Sequence, residues 1–212
     1  MTVLQKIIDH RMIGIIRGYE TEEAVRIVGT LERHEFTVIE VALNSPDAKN
    51  TLRVLKEQFG KRILLGAGTV LTVEDAKECI EIGTEFLLSP VYSCDILQLC
   101  KEEGVLYIPG CYTPTEIYNA HASGAELIKV FPAGGLKESY IKDILAPLDM
   151  LNLLPTGGVN HENINHFLKV GAKAAGLGSA LVRTNQTVDE VFLDDLAGRV
   201  KMFKEELKRY ED

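Results

Sequence analysis

Hydrophobic and polar positions alternate along this chain with two different periods. Short runs rich in Val, Ile, Leu and Phe at 13–17, 37–43, 63–68, 86–88, 106–108, 127–131, 152–155 and 174–177 read as strands. Between them, apolar residues recur every three or four positions at 20–34, 46–59, 72–82, 93–103, 113–122, 137–146 and 160–169, the spacing of amphipathic helices. A last helix is expected over 187–209, where Val188, Phe192, Leu196, Val200, Phe203 and Leu207 share one face, and a short extra helix at 2–10.

Boundary residues support this division. Thr21-Glu22-Glu23, Ser45-Pro46-Asp47, Thr72-Val73-Glu74-Asp75 and Thr113-Pro114-Thr115-Glu116 have the composition of helix starts. Gly83, Gly104, Gly124 and Gly171 stand where helices should stop.

Regular βα alternation implies parallel strands joined by right-handed crossovers, and eight such units close naturally into a (β/α)8 TIM barrel. The alternative, an open doubly wound sheet, would place a G-x-G-x-x-G turn after the first strand. Arg17-Gly18 stand there instead. No linker or low-complexity tract divides the chain, so one catalytic domain is expected over 1–212.

Composition narrows the partners. A net charge of −8 argues against nucleic acid or an anionic membrane, which attract basic surfaces, but leaves room for an anionic metabolite held by a few local donors. No apolar run approaches the roughly 18 residues of a membrane span, and residues 1–12 lack the form of a signal peptide. A soluble cytoplasmic protein is the expectation. Cys79, Cys94, Cys100 and Cys111 form no C-x-x-C pair, which suits free thiols in a reducing compartment. His10, His34, His121, His161 and His166 show no metal-triad spacing, so surface histidines and no metal are expected.

Chemistry is sought at the inner and terminal positions of the strands, because the C-terminal ends of barrel strands face the active site. Glu40 shares a strand face with Val38, Ala42 and Asn44, while Ile39, Val41 and Leu43 occupy the other. Lys129 lies within the apolar run Leu127–Phe131, on the face of those two residues. Burial favours the free amine of a lysine, the form that attacks carbonyls. A plain buried Lys129–Glu40 ion pair is the alternative.

The glycine-rich loops Thr156-Gly157-Gly158-Val159-Asn160 and Gly176-Leu177-Gly178-Ser179-Ala180 follow the seventh and eighth strands, the recurring phosphate site of such barrels. Arg17 offers a guanidinium suited to a carboxylate, or to a rim salt bridge; Thr69 is a ligand contact or a turn residue.

These segments follow one another in a familiar order. Ile15-Ile16-Arg17-Gly18, Glu40-Val41-Ala42-Leu43-Asn44-Ser45-Pro46, Gly66-Ala67-Gly68-Thr69, Ser89-Pro90, Lys129-Val130-Phe131-Pro132, Pro155-Thr156-Gly157-Gly158 and Gly178-Ser179 resemble the 2-keto-3-deoxy-6-phosphogluconate aldolase family, over nearly the whole chain. That family also includes 4-hydroxy-2-oxoglutarate and 2-keto-3-deoxy-6-phosphogalactonate aldolases. The resemblance implies that Lys129 forms the Schiff base and Glu40 is the general acid/base. It implies that Arg17 and Thr69 hold the substrate carboxylate, that Pro90 and Phe131 wall the pocket, and that Thr156, Gly157, Gly158, Gly178 and Ser179 bind phosphate.

It further implies a homotrimer acting on 2-oxo acid and aldehyde substrates without metal or cofactor. Asn44, another pocket position, departs from the arginine of the gluconate pattern and resembles the phosphogalactonate branch. Competing readings are a phosphosugar isomerase or synthase on the same barrel, or a non-catalytic phospho-metabolite sensor. The paired presence of Lys129 and Glu40 weighs against both.

Overall fold

The computed structural model describes residues 1–211, the side chains of Glu138, Tyr210 and Glu211 excepted. Its elements run α1 (Val3–His10), β1 (Met12–Ile16), α2 (Thr21–Arg33), β2 (Val38–Ala42), α3 (Ala48–Phe59) and β3 (Leu64–Gly68). They continue with α4 (Val73–Ile82), β4 (Phe86–Leu88), α5 (Cys94–Glu103), β5 (Leu106–Ile108), β6 (Gly110–Cys111) and α6 (Pro114–Ala122). The last are β7 (Ile128–Val130), α7 (Glu138–Leu145), β8 (Leu153–Pro155), α8 (Ile164–Lys169), β9 (Ala175–Leu177) and α9 (Glu190–Glu211).

Every strand pairing is parallel. The strands form a curled sheet in two sections, β5-β4-β3-β2-β1-β9 and β6-β7-β8, rather than one uninterrupted ring of eight. The fifth expected strand, 106–108, is present as β5, and beyond Pro109, which has no N–H to give a ladder, the chain resumes as β6 in the second section. The carbonyl of Pro109 still accepts from Lys129 N at 2.9 Å. At the other seam, Lys173 N donates to Leu153 O at 2.9 Å, and a parallel bridge joins Thr156 to Gly176.

Alternation along the strands sorts the core into two clusters. Ile13, Val38, Leu64, Phe86, Leu106, Leu127, Leu154 and Ala174 meet on the inner face of the curl, with Ile7 of α1 packed among them. The intervening residues, such as Ile39, Leu65, Leu87, Ile128 and Leu177, pack with the helices. Glu40 and Lys129 follow the inner series in register, so both are buried.

Two of the expected helix starts cap as anticipated: Thr72 Oγ accepts from Asp75 N, and Thr113 forms a capping box with Glu116. Thr21 is instead the first helical residue, its hydroxyl 2.8 Å from that of Thr51, and Asp47 takes the cap position of α3.

The expectation of surface histidines fails at His10. Its ring is packed edge-on against Phe36, 2.8 Å from Met12 O through Nδ1, and accepts from Thr37 N at 3.2 Å through Nε2. The cysteines are free, and burial pushes Cys79, Cys100 and Cys111 up to about 12. No described helix is long and apolar enough to cross a membrane.

Candidate active site

Lys129 is only 4% exposed, and its Nζ sits 4.8 Å from the centroid of the Phe131 ring. Burial lowers its pKa, the negative charge of Glu40 opposes that, and the Arg17 guanidinium adds to the lowering. Desolvation dominates, so the amine is driven toward its neutral, nucleophilic form.

Glu40 is 1% exposed and shows the mirror-image behaviour. Burial raises its pKa, against the opposing attraction of Lys129 and Arg17. Neither carboxylate oxygen has a hydrogen-bond partner in the protein, so the direct Glu40–Lys129 ion pair allowed by the sequence is not made. A buried carboxyl left without a partner costs stability and calls for another explanation. The space it occupies exists because residue 68 is glycine: a Cβ there would stand 1.4 Å from Glu40 Oε1.

A cavity of about 540 Å³ opens over Lys129. Arg17, Phe131, Thr156, Gly157, Gly158, Gly178 and Ser179 are on its wall, as are Asn160 and Ser179's neighbour Ala180. Arg17 follows β1 at the rim, and its Nη2 donates to Thr69 Oγ1 at 3.4 Å. Thr69, with φ at +59°, is held in a left-handed turn by its surroundings. Ser45, absent from the expected set, ties the neighbouring loops together by accepting from Gly18 N at 2.9 Å.

The two glycine loops meet on the cavity's other side. Gly157 and Gly158 both have φ at +82°, and a Cβ on Gly158 would come within 2.3 Å of Gly134 Cα. Only glycine supports that conformation and that approach. After β9, Leu181 N and Val182 N both donate to Gly178 O at 2.9 Å, forming one helical turn. Among the described residues, the N–H groups of Gly158, Ser179 and Ala180 donate to no backbone carbonyl outside the helices and strands. Free N–H groups at the start of a turn, beside Arg17 and Lys129, favour an anion.

Glu40, Thr69, Pro90 and Asn44 are not on this cavity's wall. Pro90 packs its backbone against Gly110, where a Cβ would lie 2.3 Å from Pro90 O, and Asn44 is exposed next to Ser45. The sequence held no signal for Ser45 beyond helix-start composition, nor for Gly68 as the residue making room for a carboxylate. Among the described residues, no cluster of His, Cys, Asp and Glu could hold a metal ion.

The family model described as KDPG and KHG aldolase matches residues 3–194. The chain is 32% identical over 195 residues to 2-dehydro-3-deoxy-6-phosphogalactonate aldolase of Escherichia coli (strain K12), covering 92% of this chain and 95% of that protein. The solved "Native KDPGal structure" superposes with a TM-score of 0.87 at 30% identity, over 94% of this chain and 95% of the other. A KDPG aldolase from Legionella pneumophila, with pyruvate captured as a covalent carbinolamine, gives a TM-score of 0.76 at 26% identity over 92% and 91% of the two chains.

Proposed function

Because the chain belongs to the KDPG and KHG aldolase family, we propose that Lys129 is the lysine on which this class I aldolase carries its substrate. The observation that carries this reading is the burial of Lys129 above an apolar floor and inside a cavity lined by anion-binding groups. Its free amine adds to C2 of a 2-keto-3-deoxy-6-phospho sugar acid, and water leaves to give an iminium. That cation accepts the electrons of the C3–C4 bond. Glu40, through a water, takes the C4 hydroxyl proton as glyceraldehyde 3-phosphate departs. The enamine is then protonated at C3 by Glu40, and hydrolysis frees pyruvate. Cleavage of 4-hydroxy-2-oxoglutarate to pyruvate and glyoxylate follows the same steps.

Arg17, with Thr69 beside it, is assigned to the substrate carboxylate. Thr156, Gly157, Gly158, Gly178 and Ser179 are assigned to the phosphate. Phe131 walls the pocket, and Pro90 and Asn44, which lie off that wall, are assigned to its surround. Asn44, together with the similarity to a phosphogalactonate aldolase, favours the phosphogalactonate epimer. No cofactor or metal takes part in this scheme.

The seam contacts Lys173–Leu153 and Thr156–Gly176 support joining the two sheet sections into one (β/α)8 barrel, a single domain over 1–212. A cytoplasmic homotrimer is the assembly in keeping with the family.

Two measurements test the reading. Incubation with pyruvate and borohydride should add one reduced pyruvyl group to Lys129, located by peptide mass mapping. Inactivation with Lys129 unmodified would remove the assignment. Coupled assays with both phosphorylated epimers and with 4-hydroxy-2-oxoglutarate should rank the phosphogalactonate epimer first by kcat/KM.

A further inference from the structure

Among the described residues, the buried Asp, Glu, Lys and Arg side chains are Glu40, Lys129 and Arg199. The first two belong to the reaction centre. Arg199 does not: it lies in α9, 9% exposed, its guanidinium carbon 5.9 Å from the Phe192 ring centroid. Burying a guanidinium costs free energy, and one of its nitrogens, Nη2, is buried without any partner. An apolar residue would fill the same space at lower cost, so the cation calls for a reason beyond packing.

Its contacts supply one. Nε donates to the carbonyl of Leu181 at 2.7 Å, while Nη1 pairs with Asp195, whose Oδ2 is also 3.4 Å from Arg183 Nη1. Leu181 stands toward the C-terminal end of the single turn that opens at Gly178. Nothing within α9 needs that hydrogen bond; the turn does. One turn of helix, closed by two bonds to Gly178 O, has little cooperativity of its own. A cation on the carbonyl of Leu181 fixes it and complements its dipole, with the positive end left facing the cavity. The segment that follows is fastened in the same manner, by Tyr19 Oη donating to Arg183 O and Arg26 donating to Val188 O.

We propose that Arg199 is a positioning residue for phosphate recognition: through Leu181 O it holds the Gly178–Val182 turn so that the N–H groups of Ser179 and Ala180 face the substrate's phosphate. This rests on the assignment of that turn to the phosphate made above.

The test compares substrates with and without the phosphate in wild type, Arg199→Met and Arg199→Lys. In Arg199→Met, KM for the phosphorylated 2-keto-3-deoxy acid should rise about tenfold or more, the loss expected for one charged hydrogen bond. Its kcat/KM for 4-hydroxy-2-oxoglutarate and its borohydride trapping of pyruvate should stay within about twofold of wild type, because the reaction centre is untouched. Inorganic phosphate should inhibit it correspondingly less.

Arg199→Lys, which keeps the charge and can still reach a carbonyl, should show the same selective rise at smaller size. It also serves if the methionine variant does not fold. A parallel loss on both substrates, or no selective change in either variant, would overturn the role of Arg199. If wild type itself shows no preference for phosphorylated substrate and no inhibition by phosphate, the phosphate assignment falls, and this inference with it.

Discussion

Gly68 and Glu40 occupy one space between them: the carboxylate of Glu40 fills the place where a side chain on residue 68 would begin, with only 1.4 Å between Oε1 and an ideal Cβ. Adjacent parallel strands set this up, since Glu40 pairs with Gly66 and Ala42 with Gly68. Gly66 does the same for Phe86, whose ring would stand 2.3 Å from a Cβ there. Two glycines on the inner face of β3 thus house an aromatic ring below and an acid above.

Gly68→Ala should therefore displace Glu40 rather than merely tighten the packing. Aldol cleavage should fall by about 10²-fold, the usual consequence of a misplacement near 1 Å. Pyruvate trapping on Lys129 should persist. The decisive measurement is a double-mutant cycle in kcat: Gly68→Ala should add little loss in a Glu40→Gln background. Fully additive losses would mean that the glycine acts elsewhere.

Glu40→Gln should keep the fold and lose turnover by roughly 10²–10⁴-fold. A carboxyl whose folded pKa is raised contributes stability below its unfolded value, near 4.3, and loses that contribution as pH rises through the folded value. Above the folded value the charged form is thus a burden on the fold, and there the amide variant should unfold at a temperature no lower than wild type. Pyruvate methyl proton exchange in deuterated water should show an acid limb above the ordinary carboxylate range, absent in the variant. A folded variant exchanging at the wild-type rate would refute the proton-transfer role.

Much of this site was readable from residue order because its key groups violate a local pattern. Lys129 interrupts an apolar strand, and Glu40 interrupts another on the same kind of face; each stands out without any knowledge of the fold. Arg199 also interrupts an apolar stripe, three residues after Leu196 and four before Phe203, but an arginine on a long helix can carry its charge out to solvent on a flexible stem, and its burial depends on where the 178–188 segment returns. The extra strand β6 beyond Pro109 was hidden for a related reason. Pro109 lies just past the apolar run, and whether its missing N–H matters depends on which strand pairs there.

Ser45→Ala should release the N–H of Gly18, bonded to the Ser45 hydroxyl at 2.9 Å, and loosen the loop that carries Arg17. One neutral hydrogen bond in a solvent-accessible loop corresponds to a rise in KM of about 2–10-fold with kcat little changed. Ser45→Thr, which keeps the hydroxyl, should restore the wild-type value. Steady-state kinetics decide; a drop in kcat alone would speak against a role in holding the carboxylate.

His10 makes the protein sensitive to acid at the end remote from the chemistry. Its Nε2 accepts from Thr37 N, which requires the neutral ring. Burial lowers its pKa, the carbonyls of Met12 and Glu35 oppose this, and Lys204 adds to the lowering. A histidine with a depressed folded pKa contributes fully above its unfolded value, about 6.5, and loses that contribution as pH falls through the folded value. The melting temperature should therefore decline below about pH 6.5, with a flatter decline in His10→Gln. Identical pH slopes in the two proteins would exclude His10 as the source.

The inner cluster that gathers Ile7 of α1 with Ile13, Val38, Leu64 and Phe86 stoppers the lumen at the end remote from the chemistry, and the cavity over Lys129 opens at the other. Under the proposed mechanism reactants and products share that opening, which sets an order of traffic. In the proposed mechanism the pyruvyl fragment is tethered at depth, on Lys129, while the phosphate-bearing aldehyde is held at the lip by the loops after β8 and β9. The aldehyde leaves first, because it stands between its partner and the exit. In the condensation direction the same queue runs backwards, and pyruvate must be aboard before the aldehyde arrives.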